Sequence, residues 1–370
     1  MTHYMPTGAP AGGAKAAWAP PGFDQAAWEA SEAGRNAAAL QELHRRHPDE
    51  PMHPEVLAHW ARVGIRKELF EAGTPGEYAV FTPSTLDSAK RYALVYASHG
   101  GKEPISKTET TGFARLVERE QLIVVHPENG GPSNDLVEKE FPRIVGELER
   151  RGYPFDSERI YAVGFSAGSD ATGVLACAYP EVLAAVSPSP GGNLFAKGRW
   201  YATPESTAKN VGRPLPLISV AGTSDGGDRY PLERPEHVEN YDIWMERIVQ
   251  VPGYRRLGFA DSVALREAAD RTTAAFGFRF DRTWHQRLEG IDWLFGDHLD
   301  EHGVPVARFV AGDGLPHALI GSSAPLAWDF LKHFRRDRAT GASLHDPVVV
   351  QGIESVAALA ALAREEVVDA

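Results

Sequence analysis

Arg159-Ile-Tyr-Ala-Val-Gly-Phe-Ser-Ala-Gly168 joins an apolar, β-branched run to a turn of small residues, and Ala167 to Tyr179 continues from it with helical composition. A strand that enters a helix through G-x-S-x-G, here Gly164-Phe165-Ser166-Ala167-Gly168, makes a tight, strained turn in which only small residues fit. Such a turn lifts the serine oxygen into the cleft above the carboxyl edge of a sheet. The five-residue pattern alone is a modest signal in a chain with 36 glycines. The strand before it and the helix after it carry the reading of Ser166 as a nucleophile rather than part of an ordinary strand-helix connection.

Outward from this turn, strand-like runs and helical stretches alternate. Arg91 to Ser98, Leu122 to Val125, Arg159 to Val163, Leu183 to Val186, Leu215 to Val220 and Val304 to Val310 read as strands. Thr111 to Glu120, Asp135 to Arg151, Ala167 to Tyr179 and Ala324 to Arg335 read as helices. Val/Ile/Leu runs separated by helices imply an α/β fold with a mostly parallel sheet covered on both faces. Ile65 to Ala72 and Gly76 to Pro83 alternate apolar and polar residues about Thr74-Pro75-Gly76, which predicts a hairpin and an antiparallel first edge. The rhythm breaks over 229–300, where Trp244, Trp284 and Trp293 stand among charged helical stretches. These residues are expected to form a helical insertion before the last strand, folded over the end of the sheet as a lid or serving as an interface. The remaining divisions are a mobile arm rich in Ala, Gly and Pro (1–22), a helical segment (23–64), the main domain (65–338) and a C-terminal helical tail (339–370). The tail's amphipathic stretch, Ile353 to Val368, is expected to pack on the body or on a second subunit of a homo-oligomer.

A serine nucleophile needs a base, and the base needs an orienting acid. In the chain order nucleophile, acid, histidine, both follow at strand ends. Leu215-Pro-Leu-Ile-Ser-Val-Ala-Gly-Thr-Ser-Asp225 ends in an acid, and Val306-Ala-Arg-Phe-Val-Ala-Gly-Asp-Gly-Leu-Pro-His317 ends in a histidine before the last helix. With 14 histidines in the chain, position selects His317, as it selects Asp225 over its competitors Asp228 and Asp313. Upstream, the strand ending at Ser98 runs into His99-Gly100-Gly101, where two glycines leave backbone N–H groups facing a ligand unobstructed. The N–H groups of Gly101 and of Ala167, the residue after the serine, are the expected oxyanion donors; a plain glycine turn is the alternative. A phosphate loop is disfavoured, because Lys102 is followed by Glu103 and Tyr96 stands where the first glycine belongs. Gly100 and Trp200 are candidate substrate contacts, Trp200 with ordinary packing as its alternative. His126 and Asp170 read as structural, and Cys177 as a small buried thiol.

A rival pattern is His298-Leu-Asp-Glu301-His302, which matches the H-x-x-E-H of some zinc peptidases. Gly303 follows at once, so His302 is expected in the last turn of a helix, and no third ligand is evident by spacing. His44-Arg-Arg-His47 reads as a solvated helix face. No metal and no cofactor is expected.

The body of the chain, roughly Gly76 to Arg335, resembles the α/β-hydrolases, within them the serine esterases that include polyhydroxybutyrate depolymerases and feruloyl esterases. The resemblance lies in Arg159 to Gly168, in Tyr179-Pro180-Glu181-Val182-Leu183-Ala184-Ala185, in the His99-Gly100 loop and in Gly222-Thr223-Ser224-Asp225. It implies an α/β-hydrolase fold, a triad of Ser166, Asp225 and His317, and cleavage of carboxylic esters through an acyl-serine. A serine peptidase or amidase with the same triad, and an inactive hydrolase fold used for binding, are the alternatives. Two departures argue against a polymeric extracellular substrate, and an insertion folded over the cleft would narrow it to small soluble esters. Ser169-Asp170 stands where relatives commonly carry another glycine, and the stretch from Asp225 to His317 is too long for a bare strand-helix-strand step.

Composition narrows the partners. The 38 basic and 50 acidic residues leave a formal charge of −12, which disfavours nucleic acid. No apolar run reaches the roughly 18 residues of a membrane span. The single cysteine excludes an intrachain disulfide, and the N-terminal residues lack the pattern of a secretory signal, so a cytoplasmic setting is expected.

Overall fold

The computed structural model describes residues 26, 30, 32–48, 50–100, 111–128, 134–189, 202–225, 230, 232, 234–315, 317, 319, 321–346 and 366–368. The expected arm at 1–22 and most of the terminal amphipathic stretch lie outside these residues; where the expected helical tail is described, Ser343–His345 and Glu366–Val368 are strands, held by pairing with neighbouring strands.

The apolar runs form strands β1 (Ile65–Phe70), β2 (Tyr78–Pro83), β3 (Tyr92–Ser98), β4 (Leu122–Pro127), β5 (Phe155–Gly164), β6 (Ala185–Pro188) and β7 (Leu217–Gly222). They are followed by β8 (Arg282–Leu288), β9 (Ile291–Leu299), β10 (Pro305–Gly312), β11 (Phe334–Arg336), β12 (Ser343–His345) and β13 (Glu366–Val368). Eleven of them make one sheet in the order β1-β2-β4-β3-β5-β6-β7-β10-β9-β8-β13; β11 and β12 pair separately. The six central strands, β4 through β10, run parallel. Antiparallel strands flank them on both sides, the expected β1-β2 hairpin among them. This is the mostly parallel sheet that the alternating runs predicted, in the α/β-hydrolase arrangement that the resemblance implied.

Side chains alternate between the sheet's faces, so each central strand feeds two cores. Leu94 and Tyr96 of β3 join Ile160 and Ala162 of β5 under helices α4 (Asn134–Arg150) and α5 (Ala167–Ala178). On the other face, Val95, Ala97, Tyr161 and Val163 meet Val56 and Trp60 of α2 (Pro54–Arg62) and Leu326, Trp328 and Phe330 of α9 (Ser323–Leu331). α1 (Glu32–Arg46) adds Leu40 and Leu43 to that second core. The expected helix at 111–120 is a 3-10 turn, Phe113–Leu116, running into the single turn α3 (Val117–Glu120).

Residues 229–300 are helical only in their first half, as α6 (Pro235–Ile243), a π-helical turn (Trp244–Val249), α7 (Phe259–Leu265) and α8 (Arg271–Phe276). Here Val238, Tyr241, Trp244, Ile248 and Phe276 are buried in the first core. The second half is the β8-β9 hairpin, which widens the sheet beside β10 and so cannot serve as a helical lid. Trp284 stacks on Phe295 across it, with ring centroids 4.7 Å apart. Its two-residue turn, Glu289-Gly290, has both φ angles positive (53° and 77°), as the twist of a tight hairpin demands. The charges of the expected helical stretches pair across strands instead: buried Asp297 of β9 accepts hydrogen bonds from Arg282 of β8 and Arg308 of β10.

The H-x-x-E-H pattern is likewise no helix, since His298 ends in β9 and His302 lies in the turn that follows. The first imidazole is buried against the Tyr241 hydroxyl (2.7 Å) and the second is exposed, so the pattern offers no pair of ligands on one helix face. The last core helix stops at Leu331 rather than continuing to Arg335. Arg336 is buried in β11, where its guanidinium donates to the carbonyls of Leu183, Pro214 and Gly341.

Candidate active site

Two glycines let β5 turn into α5. A methyl group on Gly164 would strike the carbonyl of Gly168, and one on Gly168 would strike the carbonyl of Ser98 at the end of β3. The chain therefore packs helix start against strand end with no room for a Cβ. Ser166 sits between them at φ 53° and ψ −117°, a left-handed region that costs a non-glycine residue about 1–3 kcal/mol. The turn is held by Phe165 N–H to the Ser98 carbonyl (3.1 Å) and by Gly168 N–H to the Phe165 carbonyl (2.8 Å). Ala167 is the first residue of α5, where a helix N–H has no carbonyl one turn earlier to satisfy it.

The neighbouring parallel strands β7 and β10 end together, and their loops are stitched to each other. Thr223 N–H donates to the Gly312 carbonyl, Ser224 N–H to the Leu315 carbonyl, and Gly314 N–H to Thr223 Oγ1 at 2.8 Å. The approach requires Gly222, since a methyl group there would collide with the Leu315 carbonyl. Through this stitching His317 Nδ1 lies 2.7 Å from Asp225 Oδ1. The carboxylate is fully buried and the imidazole one-third exposed. With Nδ1–H donating to the carboxylate, the Nε2 lone pair is left available as a base. The Phe165 ring stacks on the imidazole, centroids 5.2 Å apart and planes 28° from parallel. That contact places His317 beside the serine turn. Among the described residues no hydrogen bond joins Ser166 Oγ to the imidazole, a contact that in ligand-free sites often forms only with substrate present.

The competing acids are otherwise engaged or out of view. Asp313 is exposed and binds Arg271 of α8 (2.5 Å) and the Thr223 hydroxyl; Asp228 lies outside the described residues. Gly100 lies directly over the serine: a Cβ added to it would be 3.0 Å from Ser166 Cβ and would press on the Phe165 ring. His99 is buried, its Nε2 2.7 Å from the Glu128 carbonyl. Burial holds its pKa below the usual histidine range, so it anchors the loop as a neutral ring. Gly101 and Trp200 lie outside the described residues. His126 is buried with Nδ1 3.0 Å from the Ala97 carbonyl, and burial pushes the Cys177 thiol up to about 12, an inert thiol. Gly222 and Thr223 entered the sequence reading only as part of the resemblance, without the loop contacts they make here, and the Phe165 stack escaped it. Only Gly222, directly before Thr223-Ser224-Asp225, carried a signal that could have exposed its role.

No family model matches the sequence. A bifunctional acetylxylan esterase/xylanase of Neocallimastix patriciarum is 28% identical over 161 residues, 42% of this chain and 22% of that protein. Poly(3-hydroxyalkanoate) depolymerase C of Paucimonas lemoignei is 28% identical over 133 residues, 32% of each chain. The chain thus spans less than a third of the length of these curated relatives. Among solved structures, an acetyl xylan esterase from Aspergillus awamori aligns over 72% of this chain and 98% of its own, at 15% identity and a TM-score of 0.45. The feruloyl esterase module from Clostridium thermocellum aligns over 52% and 75%, at 20% identity and a TM-score of 0.36.

Proposed function

We propose that this relative of esterases is itself a serine esterase that cleaves small soluble carboxylic esters. The observation that carries the proposal is the buried Asp225 carboxylate 2.7 Å from Nδ1 of a partly exposed His317, stacked beside a serine held at a strained strand-to-helix turn. In this reading Ser166 Oγ attacks the ester carbonyl and His317 Nε2 takes its proton. Asp225 fixes the tautomer and stabilises the imidazolium. The N–H of Ala167 and that of Gly101 hold the oxyanion, with Gly100 and Trp200 beside the substrate. Collapse of the tetrahedral intermediate breaks the C–O bond, and the imidazolium gives its proton to the departing alcohol. Water, deprotonated by His317, then releases the acid and restores Ser166. Each step uses side chains, backbone and water alone.

The preference for small esters rests on Ser169-Asp170 after the turn. The test is a graded set of p-nitrophenyl esters and matched amides, with an active-site phosphonate and mass spectrometry to locate the label. The expected results are turnover of esters over amides and a label on Ser166, and Ser166→Ala should lower kcat by roughly 10⁴- to 10⁶-fold. A folded Ser166→Ala protein that keeps more than about a tenth of wild-type activity would remove the nucleophile assignment.

A further inference from the structure

The connection between α1 and α2 brings together side chains that the catalytic reading does not use. His47 follows the last residue of α1 and His53 caps the first turn of α2. The loop between them folds back tightly, with Glu50 N–H donating to the His47 carbonyl and His53 N–H to the Glu50 carbonyl. The two imidazoles consequently lie face to face, centroids 3.4 Å apart and 14° from parallel. The Glu55 carboxylate completes the group, its Oε1 3.9 Å from His47 Nε2. One ligand atom from each of the three residues lies within 4.8 Å of the others. His47 is largely buried, and its Nε2 makes no hydrogen bond.

Two imidazoles and a carboxylate are the donor set of a borderline divalent metal such as zinc, which takes nitrogen at about 2.0–2.1 Å and carboxylate oxygen at about 2.0–2.2 Å. Arg46 strengthens the case, because it binds the other oxygen, Glu55 Oε2, at 2.6 Å. It thereby orients the carboxylate with Oε1 toward His47, as outer partners of metal ligands do. Binding asks for two small adjustments. The stacked rings must rotate so that both lone pairs converge, and His53 Nδ1 must exchange the long hydrogen bond it accepts from Glu55 N–H (3.3 Å) for a proton when Nε2 takes the metal. We infer that His47, His53 and Glu55 form a divalent transition-metal site, with water in the remaining position, that clips α1 to α2. This site is separate from the Ser166 chemistry and does not depend on it.

The test titrates the full chain with Zn²⁺ by calorimetry after removal of metal by a chelator, and follows the histidine imidazole NMR signals. One equivalent should bind, two imidazoles should shift together, and the thermal midpoint should rise with metal because only the folded loop presents the site. His47→Ala and His53→Ala should each weaken this binding at least the roughly tenfold that losing even an outer partner of a metal ligand costs. His302→Ala, which removes an exposed histidine of the H-x-x-E-H pattern, should leave it unchanged. Binding that persists in both loop variants, a loss in His302→Ala, or no stoichiometric uptake by the wild-type protein would each overturn the inference. If a loop variant fails to fold, the wild-type imidazole shifts decide: shifts confined to other histidines refute the site.

Discussion

Asp225, which the sequence reading preferred, and its competitor Asp313 meet different partners. Both stand at the ends of adjacent parallel strands, yet only Asp225 is turned inward to His317, whereas Asp313 faces Arg271 at the surface. Asp225→Asn should therefore lower kcat by about 10⁴-fold by favouring the wrong imidazole tautomer. Asp313→Asn removes an exposed ion pair worth about 1 kcal/mol or less and should change kcat little. Steady-state kinetics of the two variants on one aryl ester checks the ranking, and the reverse order would move the acid. The Phe165 stack on His317 was not legible beforehand. The pattern leaves the residue before the serine unspecified, and its partner lies far along the chain.

At the level of elements, the loops that carry Asp225 and His317 depend on how closely two strand ends approach. Gly222→Ala would drive a methyl group into the Leu315 carbonyl and push the Asp225 and His317 loops apart. A displacement of about 1 Å at a catalytic group costs on the order of 10² in rate. The variant should accordingly lose about that factor in kcat while keeping its near-ultraviolet circular dichroism, and unchanged kcat would show that the loops do not need the contact. The β5 turn and the ends of β7 and β10 were readable because strand, small residues and chemical group occur within one short stretch. The β8-β9 hairpin was not. Arg282, Asp297 and Arg308 carry the charge of a solvated face, and only pairing across three strands makes burial of the Asp297 carboxylate tolerable. The alternation of Trp293 and Phe295 with other residues was the period-two signal, obscured by those charges.

For the molecule as a whole, buried neutral histidines set an acid limit. Burial lowers the pKa of His298 to about 4 and lowers that of His99, whereas an unfolded histidine titrates near about 6.5. Below that value the unfolded chain binds protons that the folded chain refuses, so stability falls as the pH drops. For His298 the loss reaches about 3 kcal/mol by about pH 4. Urea unfolding from neutral pH to about pH 4 should show this slope, and His298→Asn should flatten it; an equal slope in the variant would place the acid sensitivity elsewhere. The strained serine turn has a wider consequence. A glycine accepts the backbone of residue 166 freely, releasing about 1–3 kcal/mol of strain against roughly 0.5–1 kcal/mol of added chain entropy. Ser166→Gly should thus be more resistant to heat than the wild type although it lacks the hydroxyl that the proposed acyl-serine requires. A lineage of this protein bred for heat resistance alone would tend to discard the serine proposed as its nucleophile, and only selection on turnover would keep it in place.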